Sequence, residues 1–91
     1  MKGTVWIPEN LRRYCAGRER LDVEGSTIGE TLADLAERFP QLGERVIDEG
    51  GRLRSHLVML RDDEILSRGG LPELPLRDAD ELRLFVAVSG G

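Results

Sequence analysis

The sequence has 91 residues and a formal net charge of −4, and 40% of its residues are hydrophobic. A chain of this length buries only roughly 60–65% of its unfolded surface, which favours one small domain and excludes most multi-step enzyme architectures. The acidic balance, with scattered Lys and Arg, argues against a nucleic-acid or anionic-membrane surface. A lone cysteine, Cys15, no secretory signal and no membrane-length apolar run lead us to expect a soluble, cytoplasmic protein.

The first quarter of the chain predicts two strands. Residues 3–8 combine β-branched and aromatic side chains and end at Pro8, which cannot donate a hydrogen bond to a strand ladder. Residues 19–24 alternate polar and apolar side chains, which is the period of a strand with one buried face. The segment between the two strands is predicted to be a loop.

The next segment predicts a helix between Thr27 and Pro40. Thr27 can cap the helix, and Glu30, three residues later, completes a capping box. Apolar residues then recur at helical spacing, namely Ile28, Leu32, Leu35 and Phe39. A weaker helical spacing over residues 41–49 predicts a short second helix that closes at two glycines.

The second half of the chain predicts a hairpin, a loop and a last strand. Residues 53–60 and 65–66 form strands three and four, and residues 81–88 form strand five after a polar turn. Between them, the loop 67–76 contains two leucines that we expect to fill the edge of the core, Leu71 and Leu74. This order predicts an α+β domain of two layers, with about five strands covered by one main helix.

Strand five has one apolar face and one mixed face. The first contains Leu82, Leu84, Val86 and Val88, and the second contains Glu81, Arg83, Phe85 and Ala87. If the second face is open, Phe85 and Ala87 form an apolar patch suited to docking a partner. The alternative is that the loop 67–76 covers Phe85.

The sequence ends in Ser89-Gly90-Gly91, directly after the last strand. We therefore expect a domain over residues 1–88 and a flexible tail over residues 89–91. A carboxylate on a tail without Cβ atoms can enter a narrow slot in another protein, where side chains would collide with the walls. The alternative is an ordinary frayed end.

Residues 76–91, LRDADELRLFVAVSGG, resemble the carboxy-terminal signature of the ubiquitin-like β-grasp sulfur carriers, the ThiS/MoaD family. Ile7-Pro8 with Leu11-Arg12 resembles the first hairpin of that family, so the resemblance covers essentially the whole chain. It implies a β-grasp fold with a mixed sheet.

The sequence departs from the family pattern at two places. Ala79 stands where the turn usually has Gly, and Val86-Ala87 stands where a Pro pair is common. The Ile-Pro and Leu-Arg opening and the loop 67–71 are most similar to the branch that serves cysteine biosynthesis, the CysO-like carriers.

The resemblance implies a protein co-substrate rather than an enzyme. An E1-like activating enzyme would adenylate the carboxylate of Gly91 with ATP, and sulfur delivery would give a thiocarboxylate that a biosynthetic enzyme accepts. Gly90 would provide clearance, and the chain itself would bind no cofactor. The residues expected to contact partners are Phe85, Ala87, Val88 and Ser89.

Three other functions remain open from the sequence. The chain is also compatible with a molybdopterin synthase small subunit, with a modifier attached to lysines through Gly91, and with an interaction module whose Gly-Gly end is inert.

The remaining candidate residues favour structural roles. Cys15 has no identifiable base nearby, and such a cysteine is more often a small, partly buried residue than a nucleophile. His56, the only histidine, has no second ligand at metal-binding spacing, which disfavours a metal site and favours packing within a strand. Gly50-Gly51 and Gly69-Gly70 lack the context of a phosphate-binding loop and are expected in ordinary loops.

Two acidic turns, residues 62–64 and the acids Asp78, Asp80 and Glu81, have two open interpretations. They can form a contact surface for a basic activating enzyme, or they can simply be solvated.

Overall fold

The computed structural model describes residues 1–66 and 68–87. In chain order the elements are β1 (Lys2–Trp6), a 3₁₀ segment (Glu9–Cys15), β2 (Arg20–Glu24), α1 (Ile28–Arg38), α2 (Pro40–Val46), β3 (Leu57–Arg61), β4 (Glu64–Ile65), a second 3₁₀ segment (Arg68–Glu73) and β5 (Asp80–Val86). The first, second and last strands each start within one residue of the predicted position.

The strands form one mixed sheet in the order β2-β1-β5-β3-β4. The last strand, β5, lies in the centre, parallel to β1 and antiparallel to β3. A parallel pair needs a long crossover connection, and here the chain between β1 and β5 supplies both helices and the β3–β4 hairpin. This arrangement confirms the predicted α+β, β-grasp architecture.

Helix α1 begins where the capping pattern predicts. The hydroxyl of Thr27 accepts a hydrogen bond from the backbone N–H of Glu30 at 3.2 Å. The Glu30 carboxylate in turn accepts the N–H of Ser26 at 2.8 Å, one residue before the cap itself. These two bonds satisfy N–H groups that have no partner within the helix, which fixes its start.

Helix α2 packs closely on α1. A Cβ atom added to Gly43 would lie 2.5 Å from the Cβ of Ala36, so the two helices approach as closely as glycine allows. The predicted span of 41–49 is too long, because Ile47 is already extended and bridges to Leu53. Within the described residues, neither helix is long and apolar enough to cross a membrane.

Strand β3 is shorter than the predicted 53–60. The N–H of Leu57 donates to the carbonyl oxygen of Arg54 at 3.0 Å and closes a turn immediately before the strand. The prediction rests on the many apolar residues between positions 53 and 60, and this content does not show where a turn ends and a strand begins. The predicted strand therefore starts too early. The predicted loops before β2 and before β5 differ too, because each contains a 3₁₀ segment, which is a common short connector.

The core lies between the sheet and the helices. Its buried residues are Val5, Ile7, Leu11, Cys15, Leu21, Val23, Ile28, Leu32, Leu35, Leu42, Val46, Leu53, Leu57, Met59, Leu71, Leu76, Leu82 and Leu84. The loop leucines behave as predicted in part, since Leu71 is fully buried and Leu74 packs against the core while partly exposed.

One ion pair is buried on the same side of the sheet as the core. A terminal nitrogen of Arg61 lies 2.7 Å from Oδ2 of Asp80, and both side chains are almost inaccessible to solvent. The same guanidinium donates to the carbonyl oxygen of Pro75 at 2.7 Å, and Asp80 also accepts the backbone N–H of Arg77 at 2.8 Å. The pair therefore joins β3 to the segment that leads into β5.

Two turns adopt left-handed backbone conformations without glycine. Asp62 and Asp63 both have positive φ at the tip of the β3–β4 hairpin, as expected for a two-residue turn of type I′. Ala79, at the position where the resembled family has Gly, has φ +64. Ala79 therefore adopts the left-handed backbone conformation that favours glycine.

Candidate functional site

The candidate site lies at the end of β5, on the sheet face that the helices do not cover. Phe85 is 46% exposed and stands directly opposite Val58 of β3. The described part of the loop 67–76 does not cover it, so the alternative in which Phe85 is a covered core residue is wrong. Its role in docking a partner stays a prediction.

The described part of the chain ends just after β5. The N–H of Ala87 donates to the carbonyl oxygen of His56 at 2.7 Å, which continues the pairing of Val86 with Leu57 by one residue. Ala87 is exposed. The remaining predicted site residues, Val88, Ser89, Gly90 and Gly91, lie outside the described residues.

A cluster around Trp6 lies on the same face and is not evident from the sequence. The Arg83 guanidinium lies 4.6 Å from the centre of the Trp6 ring, and the Arg20 guanidinium lies 5.6 Å from it. The indole N–H donates to a carboxylate oxygen of Glu81 at 3.3 Å. Strand alternation places Trp6 and Arg83 outward, but only the parallel register of β1 and β5 brings them opposite each other.

Cys15 is fully buried, more so than the partial burial expected from the sequence. Its Sγ contacts the carbonyl oxygen of Arg18 at 3.5 Å. Burial raises the pKa of the Cys15 thiol, and the hydrogen bond and nearby guanidiniums offset this only in part. A nucleophilic cysteine needs exposure and a lowered pKa, so the geometry argues against catalysis.

Two sequence-based interpretations are wrong. His56 does not pack within a strand: its side chain is exposed in the turn before β3, because that strand starts later than predicted. Asp80 does not belong to an acidic contact surface, because it is buried and paired with Arg61. The predicted alternation begins at Glu81, whereas β5 begins one residue earlier, with Asp80 on its inner face.

The metal site and the Gly50-Gly51 loop considered from the sequence can be compared with the described residues. Among them, no group of three His, Cys, Asp or Glu side chains is placed to hold a metal ion. At Gly50-Gly51, one carboxylate oxygen of Asp48 accepts the N–H groups of Gly50 at 2.9 Å and of Arg52 at 3.0 Å. That loop therefore uses these N–H groups internally rather than presenting them to a phosphate.

Comparison with known proteins agrees with this architecture. A family model described as the ThiS family matches residues 5–91. The sulfur carrier protein CysO of Mycobacterium tuberculosis is 30% identical over 94 aligned positions, covering 100% of both chains. Small archaeal modifier protein 1 of Haloferax volcanii is 38% identical over 73 positions, covering 79% of each chain.

A solved structure extends the agreement to three dimensions. The match is to a chain in the crystal structure of the Amycolatopsis orientalis BexX/CysO complex, with a TM-score of 0.84 and 29% identity. The alignment covers 98% of this chain and 99% of that one. Given this fold, the family match and the full-length relative, the chain belongs to the ThiS family of ubiquitin-like β-grasp proteins.

Proposed function

We propose that this chain is a sulfur carrier that works in cysteine biosynthesis. The observation that carries the proposal is the alignment of the entire chain with the entire length of a protein named as the sulfur carrier CysO. The relatives are small carrier or modifier proteins, which supports a role as a protein co-substrate rather than as an enzyme.

The reactive group in this proposal is the carboxylate of Gly91. An oxygen of that carboxylate attacks the α-phosphate of ATP on an E1-like enzyme, and pyrophosphate leaves. A sulfide sulfur then attacks the acyl adenylate, AMP leaves, and the carboxylate becomes a thiocarboxylate. Adenylation is needed because a free carboxylate has no good leaving group, whereas AMP is one.

The exposed apolar patch beside the strand exit would position the tail on the enzyme. Phe85 supplies an exposed aromatic side chain, and Ala87 is exposed two residues further along the same face. Aromatic side chains near the centre of an interface often contribute most of its binding energy. Val88 and Ser89 would then lead into the narrow passage that Gly90 and Gly91 occupy.

Intact mass spectrometry tests this function. The protein is incubated with a candidate activating enzyme, ATP and sulfide. A carrier gains one sulfur in place of one oxygen, whereas the variant that lacks Gly91 gains none. An unmodified mass for the wild type with enzymes that activate known carriers of this family would contradict the proposal.

The substitution Gly90→Ala tests whether the C-terminal residues enter the activating enzyme through a narrow passage, and it has a matched control. The added methyl group would narrow the route of the tail into the enzyme, so we expect a large loss of thiocarboxylate formation without loss of stability. Gly70→Ala is the control, because a Cβ atom at Gly70 meets nothing within 4 Å. Equal activation of the two variants would show that no narrow passage exists.

A second candidate function is protein modification through Gly91. The 38% identity with small archaeal modifier protein 1 favours it, although that alignment covers less of the chain. The same mass experiment, repeated in a lysate, separates the two functions. A modifier appears as conjugates of higher mass, a carrier appears as the thiocarboxylate, and an inert interaction module gives neither.

A further inference from the structure

A shallow pocket of about 420 Å³ opens between the first 3₁₀ segment, α2 and the turn before β3. Three arginines contribute to its lining, one from each of these segments: Arg13, Arg45 and Arg54. Among its described lining residues, Glu44 is the one acid, although the chain as a whole has a charge of −4. The pocket is therefore a basic site on an acidic protein.

The guanidiniums of this basic pocket are held in place. Arg45 lies 4.1 Å from the centre of the Tyr14 ring, and Arg13 lies 5.0 Å from it, so one aromatic ring orients both cations. The Nε of Arg54 donates to the carbonyl oxygen of Glu44 at 2.7 Å. In the described part of the chain, none of the three arginines forms an ion pair with a carboxylate, which leaves their charge available to an anionic ligand.

The pocket adjoins the end of β5. His56 lines it, and the carbonyl oxygen of His56 accepts the N–H of Ala87. Gly91 lies four positions after Ala87 in the sequence, and an extended chain of four steps spans at most about 14 Å. A protein that takes up Gly91 must therefore approach to within a short distance of the basic pocket.

We propose that the pocket formed by Arg13, Tyr14, Arg45, Arg54 and His56 binds an acidic segment of the partner protein that takes up the C-terminal residues. The identity of that partner rests on the proposed function, whereas the anion-binding property does not. The pocket is open and presents cations from three separate segments, which suits several carboxylates along a peptide better than one small ion. Such contacts steer association and set the orientation of the tail.

A defined acidic peptide tests the pocket without any enzyme. Hexaglutamate is titrated into the ¹⁵N-labelled full chain at low salt, and the side-chain Nε–Hε resonances of arginine are followed by NMR. We expect saturable shifts at Arg13, Arg45 and Arg54, with none at Arg20 or Arg83 on the sheet face. Arg45→Glu replaces an attractive charge pair by a repulsive one and should weaken binding about fivefold, since one exposed charge pair contributes up to about a factor of five.

Arg20→Glu is the matched control, because it makes the same change in net charge away from the pocket. If Arg20→Glu weakens peptide binding as much as Arg45→Glu, only net charge matters and the proposal is wrong. Inorganic phosphate is titrated in parallel. Tighter binding of phosphate than of hexaglutamate at the same resonances would show a site for a small oxyanion and would also overturn the proposal.

Kinetics with the activating enzyme link the pocket to the proposed function. Arg45→Glu should raise the KM for the carrier about fivefold at low salt, with kcat unchanged and a smaller difference at high salt. An unchanged KM would overturn the docking role. If the wild type itself is not activated, the proposed function fails, while the peptide titration still decides whether the pocket binds an acidic segment.

Discussion

Charged residues have different surroundings on the two faces of the sheet. The inner face packs against α1, and the outer face carries Phe85. On the inner face, Arg61 and Asp80 are buried and bound to each other and to backbone groups. On the outer face, the Lys2–Glu24 pair at 3.6 Å is largely exposed. A charge without a partner is costly in the first setting and nearly free in the second, because water solvates only the outer pair.

The largest expected effect is the loss of the inner ion pair. Asp80→Ala leaves Arg61 buried without its counter-charge and should lower the free energy of unfolding by about 3–5 kcal/mol. Chemical denaturation measures this change. Lys2→Met is the outer-face control and should leave stability unchanged within error, as is common for exposed pairs.

The apolar double variant sharpens the comparison. Replacing both partners, as in Arg61→Met with Asp80→Leu, removes both buried charges together and should recover much of the lost stability. If the double variant is no more stable than Asp80→Ala, the pair is needed for its backbone hydrogen bonds rather than for charge balance.

The next largest expected difference is between Leu84 and Phe85, two neighbouring residues of β5 that face opposite sides of the sheet. Leu84→Ala truncates a buried core side chain and should cost about 2–5 kcal/mol of stability. Phe85→Ala should cost clearly less, but weaken binding to the activating enzyme roughly 30-fold, which corresponds to about 2 kcal/mol. Thermal melts and partner titrations of both variants measure the two effects. An early melt with normal binding for Phe85→Ala would contradict the docking role.

The turn before β5 offers a smaller, stabilising change. Ala79 is exposed and has φ +64, a conformation that costs an L-residue roughly 1–2 kcal/mol and glycine very little. Because glycine also gains entropy in the unfolded chain, Ala79→Gly should stabilise the protein by only about 0.5–1 kcal/mol. A denaturation midpoint at or below that of the wild type would show that the turn is not strained.

The smallest effect concerns Cys15 and alkaline pH. Burial raises the pKa of this thiol above 9.0, its ordinary value, so the folded protein retains the proton where the unfolded chain loses it. The resulting stabilisation is complete below that value and is lost as the pH rises through the folded pKa. Stability measured from pH 8 to pH 10.5 should therefore fall less steeply in Cys15→Ala than in the wild type. Parallel curves would contradict the raised pKa.

Local signals in the sequence were sufficient for most of the elements. The capping residues Thr27 and Glu30 set the start of α1, and strand alternation placed Phe85 opposite the core face of β5. These features depend on residues a few positions apart in the sequence. They can therefore be predicted from hydrophobic periodicity and from capping residues. The same signals gave poor boundaries where apolar residues flank a polar turn, as before β3.

The sequence by itself determined the identity and order of the elements and the two faces of β5, together with the glycines that follow it. Only the tertiary structure decided that β5 lies between β1 and β3, which brings Arg61 to Asp80 and Arg83 to Trp6. It also assembled the basic pocket from three segments far apart in the chain. Strand order and pockets follow from how distant apolar surfaces are buried together, and the period of one segment contains no information about its neighbours in space.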